Sequence, residues 1–160
     1  MIQFLSLVNG SGAYDAGQLP DSNLPPFTAC PFFDDLYDYN TRGDNEGVYY
    51  TVNAAQTTVN YTYVLSRGGT YETYNFGVFY DSTKPGIFTY TYVDAGNAVQ
   101  NYGSSASVGI QGLDANGNAV ATQYSYDYAD IVPPLTVTCN TNTGVCTGST
   151  GKSATQGGGP

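Results

Sequence analysis

The strongest constraint on the fold is a series of short segments in which apolar and polar residues alternate, separated by turn sequences. Alternation with a period of two is typical of strands that bury one face. In 87–93, Phe88, Tyr90 and Tyr92 share one face, while Pro85-Gly86 and Asn116-Gly117 are typical hairpin turns. We therefore predict an all-β antiparallel β-sandwich of about eight or nine short strands with no significant helix. The candidate strands are 1–8, 31–39, 47–52, 58–65, 73–80, 87–93, 105–110, 119–126 and 135–139.

Composition supports this fold class and limits the function. The 160 residues include 16 Tyr and 20 Gly but only two Lys and two Glu, a bias away from helix surfaces. Four basic residues and a net charge of −9 exclude the basic surface that binds nucleic acid or an anionic membrane. The chain has no histidine, which removes the usual general base and the commonest zinc ligand. No apolar run reaches membrane-spanning length, so we expect no membrane insertion.

Cysteines and glycosylation sequons indicate an extracellular protein. Cys139 and Cys146 bracket a polar turn and are predicted to form a local disulfide, which leaves Cys30 as a buried free thiol or the partner of a cysteine outside this chain. Sequons begin at Asn9 and Asn60, and strand alternation places Asn60 on a polar face. No signal peptide is visible at the start, and 148–160 has the composition of a flexible Gly/Ser/Thr linker. We therefore expect a fragment of a longer secreted protein.

An ordered series of motifs resembles the extracellular domain first described in nidogens. The series runs through the strand at 1–4, the loop ending Leu-Pro-Pro-Phe at 24–27, the segment 29–35, the strand beginning at Gly47, and the paired strands 75–80 and 88–92. Cys30 before Pro31, and Phe33 at the family's Trp position, depart from the pattern. The resemblance implies a nidogen-like β-sandwich over 1–147, in the variant seen in secreted and surface proteins of fungi and other microbes. It also implies that the family's first strand lies upstream of residue 1, and it carries no catalytic residues.

An acidic segment is the strongest candidate for a metal site. Several carboxylates that converge in a loop could supply the six to eight oxygen ligands of calcium, whereas the alternative is a solvated strand end. The spacing excludes an EF-hand loop. The candidate calcium ligands are Asp34, Asp35, Asp38, Asp44 and Glu46.

Rows of tyrosine on single strand faces are the candidate ligand-binding surface. A row could be core with hydroxyls that reach the edge, or an exposed strip that stacks on a glycan or packs on a protein. Sixteen tyrosines exceed what a core of this size needs, so some must be exposed. The residues of the candidate strip are Tyr90, Tyr92, Tyr124, Tyr126 and Tyr128.

These observations predict a non-enzymatic adhesion or interaction module of a cell-wall, surface or matrix protein. Binding would use exposed Tyr and amide side chains, and the partner would be an extracellular protein or a glycan. Two alternatives remain open: a calcium-dependent carbohydrate-binding module built on 34–46, and a structural spacer domain. Loss of an opening strand would also expose a sheet edge, from which we expect self-association.

Overall fold

The computed structural model describes residues 3–4, 16–38, 45–67, 72–96 and 102–158. These residues form thirteen strands and no helix, so none of them contributes a helix that could span a membrane. In chain order the strands are β1 Gln3–Phe4, β2 Thr28–Phe33, β3 Leu36–Tyr37, β4 Gly47–Val52, β5 Thr58–Arg67, β6 Thr73–Asp81, β7 Ile87–Ala95, β8 Ser107–Leu113, β9 Ala119–Tyr126, β10 Leu135–Asn140, β11 Val145–Gly148, β12 Ser153–Thr155 and β13 Gly157–Gly158.

The strands form two sheets, and the predicted all-β sandwich is confirmed. The smaller sheet has the spatial order β1-β2-β8-β9-β13, and the larger one has the order β12-β11-β10-β7-β6-β5-β3, with β4 also paired to β5. Every pair is antiparallel except β1 with β2. The strands of four or more residues number nine, and the remaining four have two or three residues.

The core lies between the two sheets and is rich in aromatic rings. Phe32 of β2 contacts Tyr74 and Phe76 of β6, with ring centroids 5.2 and 5.6 Å apart. Val108 of β8 and Val137 of β10 are fully buried in the same cluster. Alternation within each strand therefore places its apolar face inward, as the sequence pattern predicts.

The smaller sheet contains two β-bulges, one in β2 and one in β9. In the β2–β8 pair, Pro31 and Phe32 together stand opposite Val108, because the register shifts between Cys30 and Phe33. A bulge is one of the few places where a sheet accepts proline, which has no N–H to donate. In the β8–β9 pair the register shifts at Val108/Gly109. At both register shifts the regular hydrogen bonding between the strands is interrupted, so backbone carbonyls there need hydrogen-bond donors from outside the strand pair.

The segment predicted as a flexible tail is instead part of the fold. The strand β12 pairs with β11 in the larger sheet, and β13 pairs with β9 in the smaller one, so residues up to 158 join the two sheets along one side. Lys152 forms an ion pair with Asp130, and its ammonium lies 4.7 Å from the centroid of the Tyr124 ring. The linker-like composition misled the prediction, because backbone pairing does not require apolar side chains.

Cysteine placement agrees with the predicted disulfide. Cys139 and Cys146 lie directly opposite each other in the β10–β11 pair and are bonded, with their Cα atoms 4.0 Å apart. Cys30 is a buried free thiol, and burial, followed by the charge of Asp21, raises its pKa to about 12.

Candidate functional site

The predicted tyrosine strip is wrong in its main members, which belong to the core. Tyr90, Tyr92 and Tyr124 are buried, because the inner faces of β7 and β9 lie between the two sheets. Burial raises the pKa of Tyr90 and of Tyr92 well above the ordinary value. Tyr126 is half-buried, and Tyr128 is exposed beyond the end of β9. These five side chains do not form one accessible surface.

The hydroxyls of two buried tyrosines donate hydrogen bonds to backbone carbonyls at the two bulges. Tyr92 donates a hydrogen bond to the carbonyl of Pro31 at 2.5 Å, and Tyr90 donates to the carbonyl of Gly109 at 3.0 Å. Each acceptor lies where the strand register shifts. A phenylalanine would fill the same volume but could not satisfy the carbonyl, which explains why tyrosine occupies these core positions.

The described members of the acidic cluster do not converge on one point. Asp34 accepts hydrogen bonds from the backbone N–H of Asp35 and from the hydroxyl of Ser105, both at 2.8 Å. Glu46 is buried and accepts a hydrogen bond from Ser66, whereas Asp38 is exposed. Asp44 lies outside the described residues. Within the described ranges, no three acidic or cysteine side chains are grouped so that they could hold a metal ion.

Of the two predicted glycosylation sequons, the structure describes only the one at Asn60. Asn60 is exposed on β5, on the sheet face that points away from the core, between Thr51 of β4 and Phe79 of β6. This is the polar face that the alternation predicts. Asn9 lies outside the described residues.

A cleft of about 560 Å³ opens between the two sheets where their ends separate. Tyr80 and Phe88, whose ring centroids are 5.3 Å apart, line the larger-sheet side, and Ile110 and Gln111 line the other. The side chain of Gln111 is occupied in holding the loop before β2, since it accepts from the Asp21 N–H at 2.8 Å and donates to the Pro25 carbonyl at 2.9 Å. The cleft therefore offers mainly apolar contact.

At the β4 edge of the larger sheet lies an apolar surface that the sequence analysis did not select. Val48, Tyr50 and Val52 lie opposite Tyr63, Tyr61 and Val59 in the β4–β5 pair, and residues opposite each other share a face. Tyr63 belongs to the core, so this row lies on the core face of the sheet. Yet Tyr50 is 67% exposed, Val48 49% and Val52 47%. The larger sheet thus extends past the smaller one.

We call this surface the overhang and define it by five side chains: Val48, Tyr50, Val52, Val59 and Tyr61. Aromatic rings connect it to the core, with centroid distances of 6.2 Å for Tyr50–Tyr61, 6.5 Å for Tyr61–Tyr63 and 4.9 Å for Tyr63–Phe76. The overhang is therefore a continuation of the core face and is anchored on rigid, packed strands.

The overhang also continues to the cleft. Val52 lies opposite Val59, Val59 lies opposite Tyr80, and Tyr80 lies opposite Phe88 across the four neighbouring strands β4 to β7. Tyr80 and Phe88 line the cleft, so apolar side chains run from the β4 edge to the cleft wall.

The hairpin that carries the overhang is uncharged. No Asp, Glu, Lys or Arg occurs from Gly47 to Ser66, in a chain whose net charge is −9. On the other face of β4, Tyr49 donates a hydrogen bond to the carbonyl of Asn45 at 2.8 Å. The turn 53–57 is held by Asn53, whose side-chain oxygen accepts from the Thr57 N–H at 2.8 Å. An exposed, neutral and ordered apolar surface of this kind is typical of a contact site.

The sequence contained a signal for this surface. In Gly-Val-Tyr-Tyr-Thr-Val neither face is charged, which an ordinary half-buried strand rarely shows, since its outer face is normally polar. Which strand extends beyond the opposing sheet, however, depends on the lengths and order of strands in both sheets.

No family model, curated protein or solved structure matches the chain.

Proposed function

We propose that the chain is a non-enzymatic extracellular interaction module that binds a protein partner through the overhang. The observation that carries the proposal is the exposed continuation of the core face on β4, where Val48, Tyr50 and Val52 stand uncovered. Monomeric proteins seldom leave apolar side chains of the core face exposed in a row, and surfaces rich in tyrosine are common in protein contacts.

A protein partner fits this surface better than a glycan does. Within the described ranges β4 pairs only with β5, so its outer edge presents backbone N–H and C=O groups beside an apolar row. An extended peptide can satisfy both features, because strand addition supplies backbone hydrogen bonds and its alternate side chains meet the row. The mechanism is contact and requires no catalytic group.

Two further observations support the extracellular setting. The Cys139–Cys146 disulfide is typical of oxidising compartments. Asn60 is exposed on the face opposite the overhang, so a glycan there would leave Tyr50 accessible. The resemblance to nidogen-like domains remains a hypothesis that rests on the motifs given above.

Selection from a displayed library of random linear peptides tests the proposal. The wild-type chain should enrich uncharged, strand-forming peptides, and Tyr50→Lys should lose them because it places a charge in the centre of the overhang. Val93→Lys is the matched control, since Val93 is 69% exposed on the outer face of β7.

Two results would contradict the proposal. The selected peptides could bind Tyr50→Lys as well as they bind the wild type. Alternatively, no peptide could be enriched while a glycan array shows binding that Tyr50→Lys abolishes, and this would replace the protein partner with a carbohydrate.

A further inference from the structure

We propose that the partner of the overhang is a second copy of this chain, joined through antiparallel pairing of the two β4 strands about a twofold axis at Tyr50. The inference rests on the proposed function, since it names the occupant of the same surface. It rests on three features of β4: an outer edge that no other strand in the described ranges pairs with, a core-face row (Val48, Tyr50, Val52) that is symmetric about Tyr50, and the position of Glu46.

The sequence of β4 has none of the features that usually prevent an edge strand from pairing with a strand of another chain. Natural edge strands are protected by a charge, a proline, a bulge or very short length. Gly47–Val52 contains no charged residue and no proline, and its six residues pair with β5 in unbroken register. The pleat is therefore regular, and because no strand in the described part of the chain other than β5 pairs with β4, its outer edge can accept another strand.

The residues of β4 are self-complementary about Tyr50. In an antiparallel pair with a twofold axis at Tyr50, that residue faces its own copy, and Val48 faces Val52 of the second copy. Residues directly opposite share a face, so the two apolar rows join into one. Aromatic residues directly opposite each other stabilise such a ladder. A pairing displaced by two residues would lose the central aromatic pair.

Repulsion between like charges favours antiparallel over parallel pairing of the two β4 strands. Glu46 directly precedes Gly47, whereas the turn 53–57 after Val52 contains no charged residue, and the carboxylate described at that end, Asp81, lies two strands away from β4, opposite Thr58. Antiparallel pairing places the two Glu46 residues about 27 Å apart along the strands, at about 3.4 Å per residue. Parallel pairing in register would place them about 4.8 Å apart. Only the first separation exceeds the screening length of about 8 Å in physiological salt.

The contact is small, and this sets the concentration range of the experiment. One strand pair with a single apolar row falls below the roughly 800 Å² per partner of a standard interface. We therefore expect a reversible dimer, mostly dissociated at about 1 µM and well populated at about 200 µM.

Sedimentation velocity over this concentration range tests the inference. The wild type should shift from monomer to dimer, and Tyr50→Lys or Tyr50→Glu alone should stay monomeric because like charges meet at the axis. An equimolar mixture of Tyr50→Lys and Tyr50→Glu should recover dimer, and Val93→Lys should behave as the wild type. A wild type that remains monomeric at about 200 µM, or a dimer that Tyr50→Lys leaves intact, would overturn the inference.

Cysteine cross-linking tests the register. Tyr50→Cys should form an intermolecular disulfide under mild oxidation, since residues directly opposite have Cα atoms about 4.5–5.5 Å apart. Val48→Cys alone should cross-link slowly because its symmetry mate lies about 14 Å away along the strands, whereas mixing it with Val52→Cys should restore cross-linking. Equal cross-linking of Tyr50→Cys and Val48→Cys would refute the register. If the dimer fails while selected peptides bind through Tyr50, the proposed function stands without this inference.

Discussion

Tyr92→Phe tests whether the buried tyrosines serve the core. The substitution removes the hydroxyl that donates to the Pro31 carbonyl at 2.5 Å and leaves the ring packing unchanged. That carbonyl lies in the bulge where Pro31 and Phe32 oppose Val108, and Tyr92 is only 2% exposed. A buried acceptor that loses its donor costs about 1–3 kcal/mol. We therefore expect the free energy of unfolding to fall by about 2 kcal/mol.

Urea unfolding followed by circular dichroism measures this loss. The midpoint should fall without a change in the denaturant slope, and Tm should decrease by about 4–8 °C for a domain of this size. Tyr90→Phe, which removes the hydrogen bond to the Gly109 carbonyl, should act in the same direction. Tyr50→Phe is the control, since an exposed hydroxyl should change stability by less than about 0.5 kcal/mol. If Tyr92→Phe and Tyr50→Phe are indistinguishable, the role given to the bulge hydrogen bonds is refuted.

Three further predictions concern the thiol, the disulfide and pH. The Cys30 thiol should not react with a thiol reagent at pH 8 in the native protein, because burial raises its pKa to about 12. It should react once urea unfolds the chain. Rapid reaction of the native protein would contradict the burial of this thiol. Replacing Cys139 and Cys146 by alanine should lower stability in urea by about 2–3 kcal/mol, the entropy of a short closed loop, and an unchanged midpoint would contradict this. Burial, with a smaller contribution from Tyr61, raises the pKa of Tyr63 from 10.0 to about 12, so the folded state retains a proton that the unfolded chain releases. Stability should therefore decline as pH rises from about 10 to about 12, and Tyr63→Phe should make the decline shallower; an equal slope in both proteins would contradict it.

Much of the fold could be predicted from local sequence, because alternation and turn chemistry act over a few residues. The type II turn shows this, since Pro85-Gly86 predicted it and Gly86 has φ +84°, with the Ile87 N–H donating to the Lys84 carbonyl at 3.3 Å. The pairing of Cys139 with Cys146 was likewise visible in the short polar turn between them. In both cases the residues that interact are neighbours in the chain.

The errors arose where distant segments decide the outcome. Tyr90 and Tyr128 look alike in sequence, and only the position of the opposing sheet buries the first and exposes the second. The strand β13 has a linker's composition, yet it pairs with β9, where Ala121, the partner of Gly157, lies more than thirty residues away in the chain. The overhang depends on the same kind of information, because Tyr50 is exposed only where the smaller sheet ends.

Hydrogen–deuterium exchange of β4 at low and high protein concentration tests most directly that this strand is the contact site. Alternate amides of an edge strand point away from its neighbour and exchange readily unless a second strand covers them. The account predicts that peptides covering Gly47–Val52 exchange more slowly at about 200 µM than at about 5 µM in the wild type, and equally at both concentrations in Tyr50→Lys. Exchange of β4 that is independent of concentration, or protection that arises on another strand, would contradict it.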